Sequence, residues 1–177
     1  MPRSRGRSGH YYYASGQPVD LTVDQDWLAI DTRKLQAAGT SARVRTALLK
    51  DSRPLRGDLI LVKRVAIAAK PLDALTAHGA VHPVFRADGA MMIALPEVRV
   101  EESSVERQRA LHRWIRQHGD EAEVVEDSGE KMLLRPPSGA GVDAITLANH
   151  LTEQVGPEMA QPRFLRVVEH VRQGPID

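Results

Sequence analysis

Pro96-Glu97-Val98-Arg99-Val100-Glu101, followed by Ser103-Ser104-Val105-Glu106 and then by Leu111, Trp114, Ile115 and His118, is the stretch that decides the fold. The first six residues alternate apolar and charged, the period of a half-buried strand. The next four read as an S-x-x-E capping box, with Ser103 as the N-cap and Glu106 reaching back. The last four stand at i, i+3, i+4 and i+7, one face of a helix that Gly119 ends as its C′ residue.

Reading outward from there, Glu121 to Glu126 carries Val124 and Val125 as a short strand, and Asp127-Ser128-Gly129 is a turn signal. Lys131-Met132-Leu133-Leu134-Arg135 returns as a strand, and Pro136-Pro137-Ser138-Gly139 is loop. A second helix starts near Asp143, with Ala144, Leu147, Ala148, Leu151 and Val155 on one face, and Gly156-Pro157 stops it. Arg163 to Val168 closes as a strand. The order β-α-β-β-α-β is the ferredoxin-like split βαβ arrangement, with two helices over one face of an antiparallel sheet and the other face open.

The first half repeats this order less cleanly. Trp27 to Ile30 and Asp58 to Val62 read as strands, Ser41 to Leu49 as a helix, and Pro71 to Leu75 as a short helix that Gly79 ends. Val81 to Phe85 closes, and no strand is legible between Leu49 and Asp58. His82-Pro83-Val84-Phe85 and Gln161-Pro162-Arg163-Phe164 place the same x-P-x-F at the start of each closing strand, after helices that carry Leu75-Thr76 and Leu151-Thr152. The fold class expected is therefore α+β: two tandem ferredoxin-like modules with helices on one face, the first degenerate. The divisions expected are a disordered basic arm over 1–10, a first module over 11–90, a second over 91–168 and a tail over 169–177. Asp88-Gly89 is a hairpin turn leading through Met91, Met92, Ile93 and Leu95 into the second module, so no flexible linker separates the two. Tyr11 to Leu21 reads as a small hairpin turning at Ser15-Gly16, an edge decoration.

The 177 residues suffice for one ordinary domain or two small ones. Hydrophobic residues make up 42% but aromatics only 4%, so the core is built from aliphatic side chains and Met. With 24 basic and 23 acidic residues, the charge balance argues against general nucleic-acid binding. No cysteine is present, which excludes disulfides, thiolate metal sites and a cysteine nucleophile. No apolar run is long enough to span a membrane. Arg3, Arg5 and Arg7 are followed by no apolar stretch, so no secretory leader is expected and the cytoplasm is the expected location.

No catalytic motif emerges, and no enzyme activity, cofactor or metal is expected. Pro137-Ser138-Gly139 only partly matches a nucleophile elbow. His78 and His82 have i, i+4 spacing, but Gly79 breaks the helix between them; His112 and His118 lie on different faces. Ser138-Gly139-Ala140-Gly141 precedes a helix N-terminus but is followed by no Lys-Ser or Lys-Thr, so it reads as a plain loop. Glu101 and Glu102 are adjacent in a strand and point to opposite faces. The central strands lack the aromatics that an RNA-binding sheet uses for stacking.

The run Tyr11-Tyr12-Tyr13-Ala14-Ser15-Gly16-Gln17-Pro18-Val19-Asp20-Leu21-Thr22, the x-P-V-F-R segment His82 to Arg86, the Asp88-Gly89 turn, the strand Pro96 to Val100, the Leu147-Ala148-Asn149 helix and the strand Gln161 to Leu165 occur in an order that resembles the fervidolysin-type N-terminal prodomain of bacterial subtilisin-like serine proteases. The resemblance runs from about Tyr11 to Val168 and implies a prodomain without its enzyme, since no protease triad has matching positions here. It implies a stand-alone inhibitor or folding chaperone of a separate subtilisin-like protease. The open sheet face would dock on the enzyme, and the last strand and tail (Phe164, Arg166, Val167, Val168, Glu169, His170, Val171 and Arg172) would enter the substrate cleft by strand addition. A non-inhibitory adaptor module and a small-ligand regulatory domain are the alternatives.

Overall fold

Two tight hairpin turns set the frame of the molecule, which a computed structural model describes over residues 9–167. Ser15 and Gly16 have φ of 49° and 75°, and Asp88 and Gly89 have 48° and 77°. Two central residues at positive φ make a type I′ turn, whose twist matches that of the strands it joins. The first turn links β1 (His10–Ala14) to β2 (Gln17–Asp31), and the second links β5 (Val81–Ala87) to β6 (Ala90–Glu101). Between them lie α1 (Ala42–Lys50), β3 (Arg53–Pro54), β4 (Leu59–Lys63) and α2 (Ala69–Ala77). After β6 come α3 (Val105–Gln117), β7 (Glu123–Asp127), β8 (Lys131–Arg135), α4 (Gly141–Gln154) and β9 (Met159–Val167).

All strand pairs among the described residues are antiparallel, and they join in one sheet. In the first half β2 lies between β5 and β4, with β3 beyond β4. In the second, β6 lies between β9 and β8, with β7 beyond β8. The two halves thus share one pairing order. β5 also pairs with the first half of β6, so the sheet runs through the junction without a linker.

Each x-P-x-F motif lies at a bend. Pro83 stands opposite Leu28 and Pro162 opposite Val98, each beside a break in register, between Val23 and Leu28 in β2 and between Ala94 and Val98 in β6. Proline has no N–H to give a ladder, so it is tolerated where the ladder is already interrupted. Two residues on, Phe85 and Phe164 enter one apolar cluster with Leu21, Met92, Ala94 and Ile145. Asp24 organises the bend in β2. Its carboxylate accepts hydrogen bonds from the N–H groups of Asp26 (2.8 Å) and Trp27 (3.2 Å) and from Arg86 Nε (2.7 Å). Burial alone would raise the Asp24 pKa, but the Arg86 bond and the two N–H donors outweigh it and hold the carboxyl below its usual range. A folded pKa below the unfolded one gives stability that is present above the unfolded value and lost as pH falls through the folded one. Asp24→Asn is therefore expected to lower the urea midpoint at neutral pH, with the gap to wild type narrowing as pH falls below the usual carboxylate range, in a pH series of unfolding curves.

Helices cover one face in each half. Leu28, Ile30, Ile60 and Val62 pack with Leu48 of α1 and Leu75 of α2. Val98, Val100, Met132 and Leu134 pack with Leu111, Trp114 and Ile115 of α3 and with Ala144, Leu147, Ala148 and Leu151 of α4. α4 also binds the first hairpin. Asn149 Nδ2 donates to the Tyr11 carbonyl (2.8 Å), and the Tyr11 and Tyr13 hydroxyls donate to Glu153 Oε1 (2.7 and 3.0 Å).

Several expectations are corrected. A strand does lie between Leu49 and Asp58: Arg53–Pro54, paired with Ile60 and Leu61. Ser104, not Ser103, is the N-cap of α3, accepting from Arg107 N at 3.5 Å, while the Ser103 hydroxyl turns to the Glu158 carboxylate. α3 ends at the C-cap His118, and Gly119 follows without a left-handed backbone. His10, expected in a disordered arm, begins β1 and lies edge-on to Phe85, while residues 1–8 and 168–177 lie outside the described residues. The Tyr11–Leu21 hairpin does place β1 at an edge, paired with β2 alone, and α4 packs against it. β6 starts at Ala90, α4 at Gly141 and β9 at Met159, each earlier than the sequence pattern suggests.

Candidate functional site

The two halves differ in the fate of the sheet face that their helices leave uncovered. In the first half that face carries Ala29, Leu61 and Val84. The sheet curls so that these pack on Met91 and Ile93 of β6 and Val167 of β9, with Trp27, Leu55 and Leu165 at the margin. Burial of these apolar side chains against the junction leaves the first half without an open face. In the second half, strand alternation puts Glu97, Arg99 and Glu101 of β6, Lys131, Leu133 and Arg135 of β8, and Gln161 and Arg163 of β9 on the uncovered face.

This face is a lattice of charge. Glu97 accepts from Arg163 Nη1 (2.5 Å) and lies 3.8 Å from Arg135 Nη2. Glu101 lies 2.6 Å from Arg99 Nη2 and 4.0 Å from Lys131 Nζ. The carboxylates sit low, with side chains 22% and 32% exposed, while the four cations stand higher at 44–63%. With Glu123 and Glu126 of β7, which stand opposite Arg135 and Leu133, the four cations face four carboxylates, so the surface is a balanced mosaic in which guanidinium forks are available to carboxylate-bearing partners. A shallow groove runs across it, lined by Arg99, Lys131, Leu133 and Arg163, with Glu126 and Asp127 at one end. The chemistry that this face offers is hydrogen bonding and charge pairing.

Of the residues that the sequence singled out for partner binding, three lie within the described structure. Phe164 is half-buried, edge-on to Tyr12 at 5.0 Å, and Val167 is buried in the junction. Val167 is packed away from solvent, while Phe164 keeps part of its side chain exposed. Arg166 is exposed on β9 opposite Met92. Val168, Glu169, His170, Val171 and Arg172 lie outside the described residues.

The open sheet face was expected to dock, but none of Glu97, Arg99, Glu101, Lys131, Arg135 and Arg163 was named as part of it. The signal for it was present in the strict alternation of Pro96 to Glu101.

The remaining candidates have local explanations. Gly141 is fixed by packing: a Cβ there would stand 1.9 Å from the Ala94 carbonyl oxygen. Asp143 stands in the first turn of α4 and accepts from the Ser138 hydroxyl at 2.5 Å, a placement hostile to a bound anion. His78 Nδ1 is 2.9 Å from the Ala74 carbonyl. Burial, with Lys34 nearby and against the pull of Asp31, lowers the pKa of His82 and favours its neutral form. Among the described residues no group of three or more His, Asp or Glu side chains is placed to hold a metal ion, and no helix is long and apolar enough to cross a membrane. No family model, curated protein or solved structure matches the chain.

Proposed function

We propose that the chain is a non-catalytic protein-binding module of two ferredoxin-like units, in which the second unit meets the partner and the first serves as support. The observation that carries this is the asymmetry of the two uncovered faces: the first is sealed against the junction, and the second is exposed and charged. The shared pairing order of the two halves supports the reading of two units. The partner proposed is a subtilisin-like serine protease acted on in trans as its inhibitor or folding chaperone; this rests on the order of sequence motifs along the chain. The Arg99, Lys131, Arg135 and Arg163 face would lie on the enzyme surface, where buried forks to carboxylates fix register and orientation.

The test is peptide hydrolysis by a subtilisin-like protease titrated with the chain at micromolar concentration. Inhibition is expected. Arg99→Glu combined with Arg163→Glu is expected to weaken it by about tenfold or more, since charge reversal at a docked fork opposes association. Removal of the residues after Val168 is expected to weaken inhibition more than binding. Unchanged hydrolysis together with no complex by sedimentation would end the protease reading.

A further inference from the structure

The two ends of the sheet carry opposite, uncompensated charge. Residues 42–70, which hold α1, β3, β4 and the start of α2, contain eight Lys or Arg (Arg43, Arg45, Lys50, Arg53, Arg56, Lys63, Arg64 and Lys70) against Asp51 and Asp58. Residues 120–130, which hold β7, contain six Asp or Glu and no Lys or Arg. β3 and β7 are the two ends of the strand order. The charges lie outward: Arg43, Lys50, Arg56, Arg64 and Lys70 are exposed, as is every residue of β7. Among the described residues these five cations make no ion pair, and neither do Asp120, Glu123, Glu126 and Glu130.

A second observation coincides with the first. The large hydrophobic side chains left exposed are Leu49, Val65, Val105, Val124 and Val125. Leu49 and Val65 sit among the cations, while Val124 and Val125 sit on β7 among the carboxylates. Each end therefore combines exposed apolar side chains with neighbouring charges of one sign, a composition found in contact surfaces. Continuous strand pairing across the ends is not expected. Val125 is bulged out of the β7–β8 register, and β3 is two residues long, features that blunt an edge.

We propose that the chain associates head to tail with a second copy of itself, the acidic β7 end of one copy lying against the basic end of the next. Such a contact is heterologous, so it extends into short chains of copies unless its rotation closes a ring. This contact adjoins the sheet face that the proposed partner would occupy, since Glu126 and Asp127 border the groove there.

Sedimentation velocity of the full chain at rising concentration in 50 and 500 mM salt tests this. Association is expected at low salt and about tenfold weaker at high salt, because exposed charge pairs are screened beyond a Debye length. Glu123→Lys with Glu126→Lys takes the acidic end from net −6 to net −2, and Arg56→Glu with Arg64→Glu takes the basic end from net +6 to net +2. Each variant alone is expected to associate more weakly than the unaltered chain, and their equimolar mixture to recover association, with circular dichroism confirming that both are folded. The salt series on the unaltered chain decides the matter if either variant fails to fold. A wild-type mass that stays monomeric at 50 mM salt overturns the proposal, as does association unmoved by salt. A monomer that binds a polyanion through its basic end overturns it too, and assigns that end to another partner.

Discussion

Gly141→Ala is expected to destabilise the protein by about 3–5 kcal/mol, at the upper end of single-residue effects, or to prevent folding. A Cβ at this position would stand 1.9 Å from the Ala94 carbonyl oxygen and 2.5 Å from its carbonyl carbon. Both are backbone atoms of β6, so no side-chain rotation relieves the overlap. Either α4 moves off the sheet or β6 bends further. α4 brings Ala144, Leu147, Ala148 and Leu151 into one core cluster and Ile145 into another, so its displacement loosens both. It would also pull Asn149 and Glu153 away from the first hairpin. Gly139→Ala is the control. Gly139 has φ of 64° with open space around a Cβ, so only backbone strain of about 1 kcal/mol is expected. Urea unfolding at neutral pH distinguishes the two, and equal effects would mean that the close approach of α4 to β6 is wrong.

Glu102→Ala is expected to cost about 3–5 kcal/mol. The side chain of Glu102 is only 1% exposed at the end of β6. One oxygen accepts from Ser104 N at 2.8 Å, fixing the entry to α3. The other accepts from Glu158 N at 3.2 Å, fixing the entry to β9, and Arg107 Nη1 lies 3.7 Å away. Truncation leaves two backbone donors without their acceptor, removes the ion-pair partner of the exposed Arg107, and opens a cavity. Glu102→Gln keeps one acceptor oxygen and is expected to cost about half as much. A loss below about 1 kcal/mol for the alanine variant, read from urea midpoints, would show that water replaces the carboxylate at this junction.

How much of this was legible in the sequence depended on period. The alternation of Pro96 to Glu101 and the 3.6-residue spacing of Leu111, Trp114 and Ile115 announced β6 and α3, because each has one wet face. Arg53–Pro54 was invisible, since two exposed residues have no period. The run Ala90 to Leu95 does not alternate because it is buried from both sides, by Ala29, Leu61 and Val84 on one and by Leu21, Phe85 and Ile145 on the other. The N-cap was displaced by one residue because the Ser103 hydroxyl bonds Glu158, a partner that local sequence cannot supply.

The fate of the uncovered faces had a signal that went unread. Trp27 to Ile30 and Leu59 to Val62 are continuous apolar runs, the composition of strands buried on both faces. The second half offers Val98-Arg99-Val100-Glu101 instead, the composition of a strand with one face in water. The contrast between the two halves already distinguishes a sealed face from an exposed one. What no local pattern supplies is which elements seal the first, since Met91, Ile93 and Val167 reach it only through the curl of the sheet.

Amide hydrogen exchange on the chain, alone and mixed with a subtilisin-like protease whose active site has been blocked, tests the docking account most directly. Slowed exchange is predicted over Glu97–Glu101, Lys131–Arg135 and Met159–Arg163, with Trp27–Asp31 and Leu59–Lys63 unchanged. Protection confined to the first half, or identical exchange with and without the protease at concentrations well above micromolar, would contradict it.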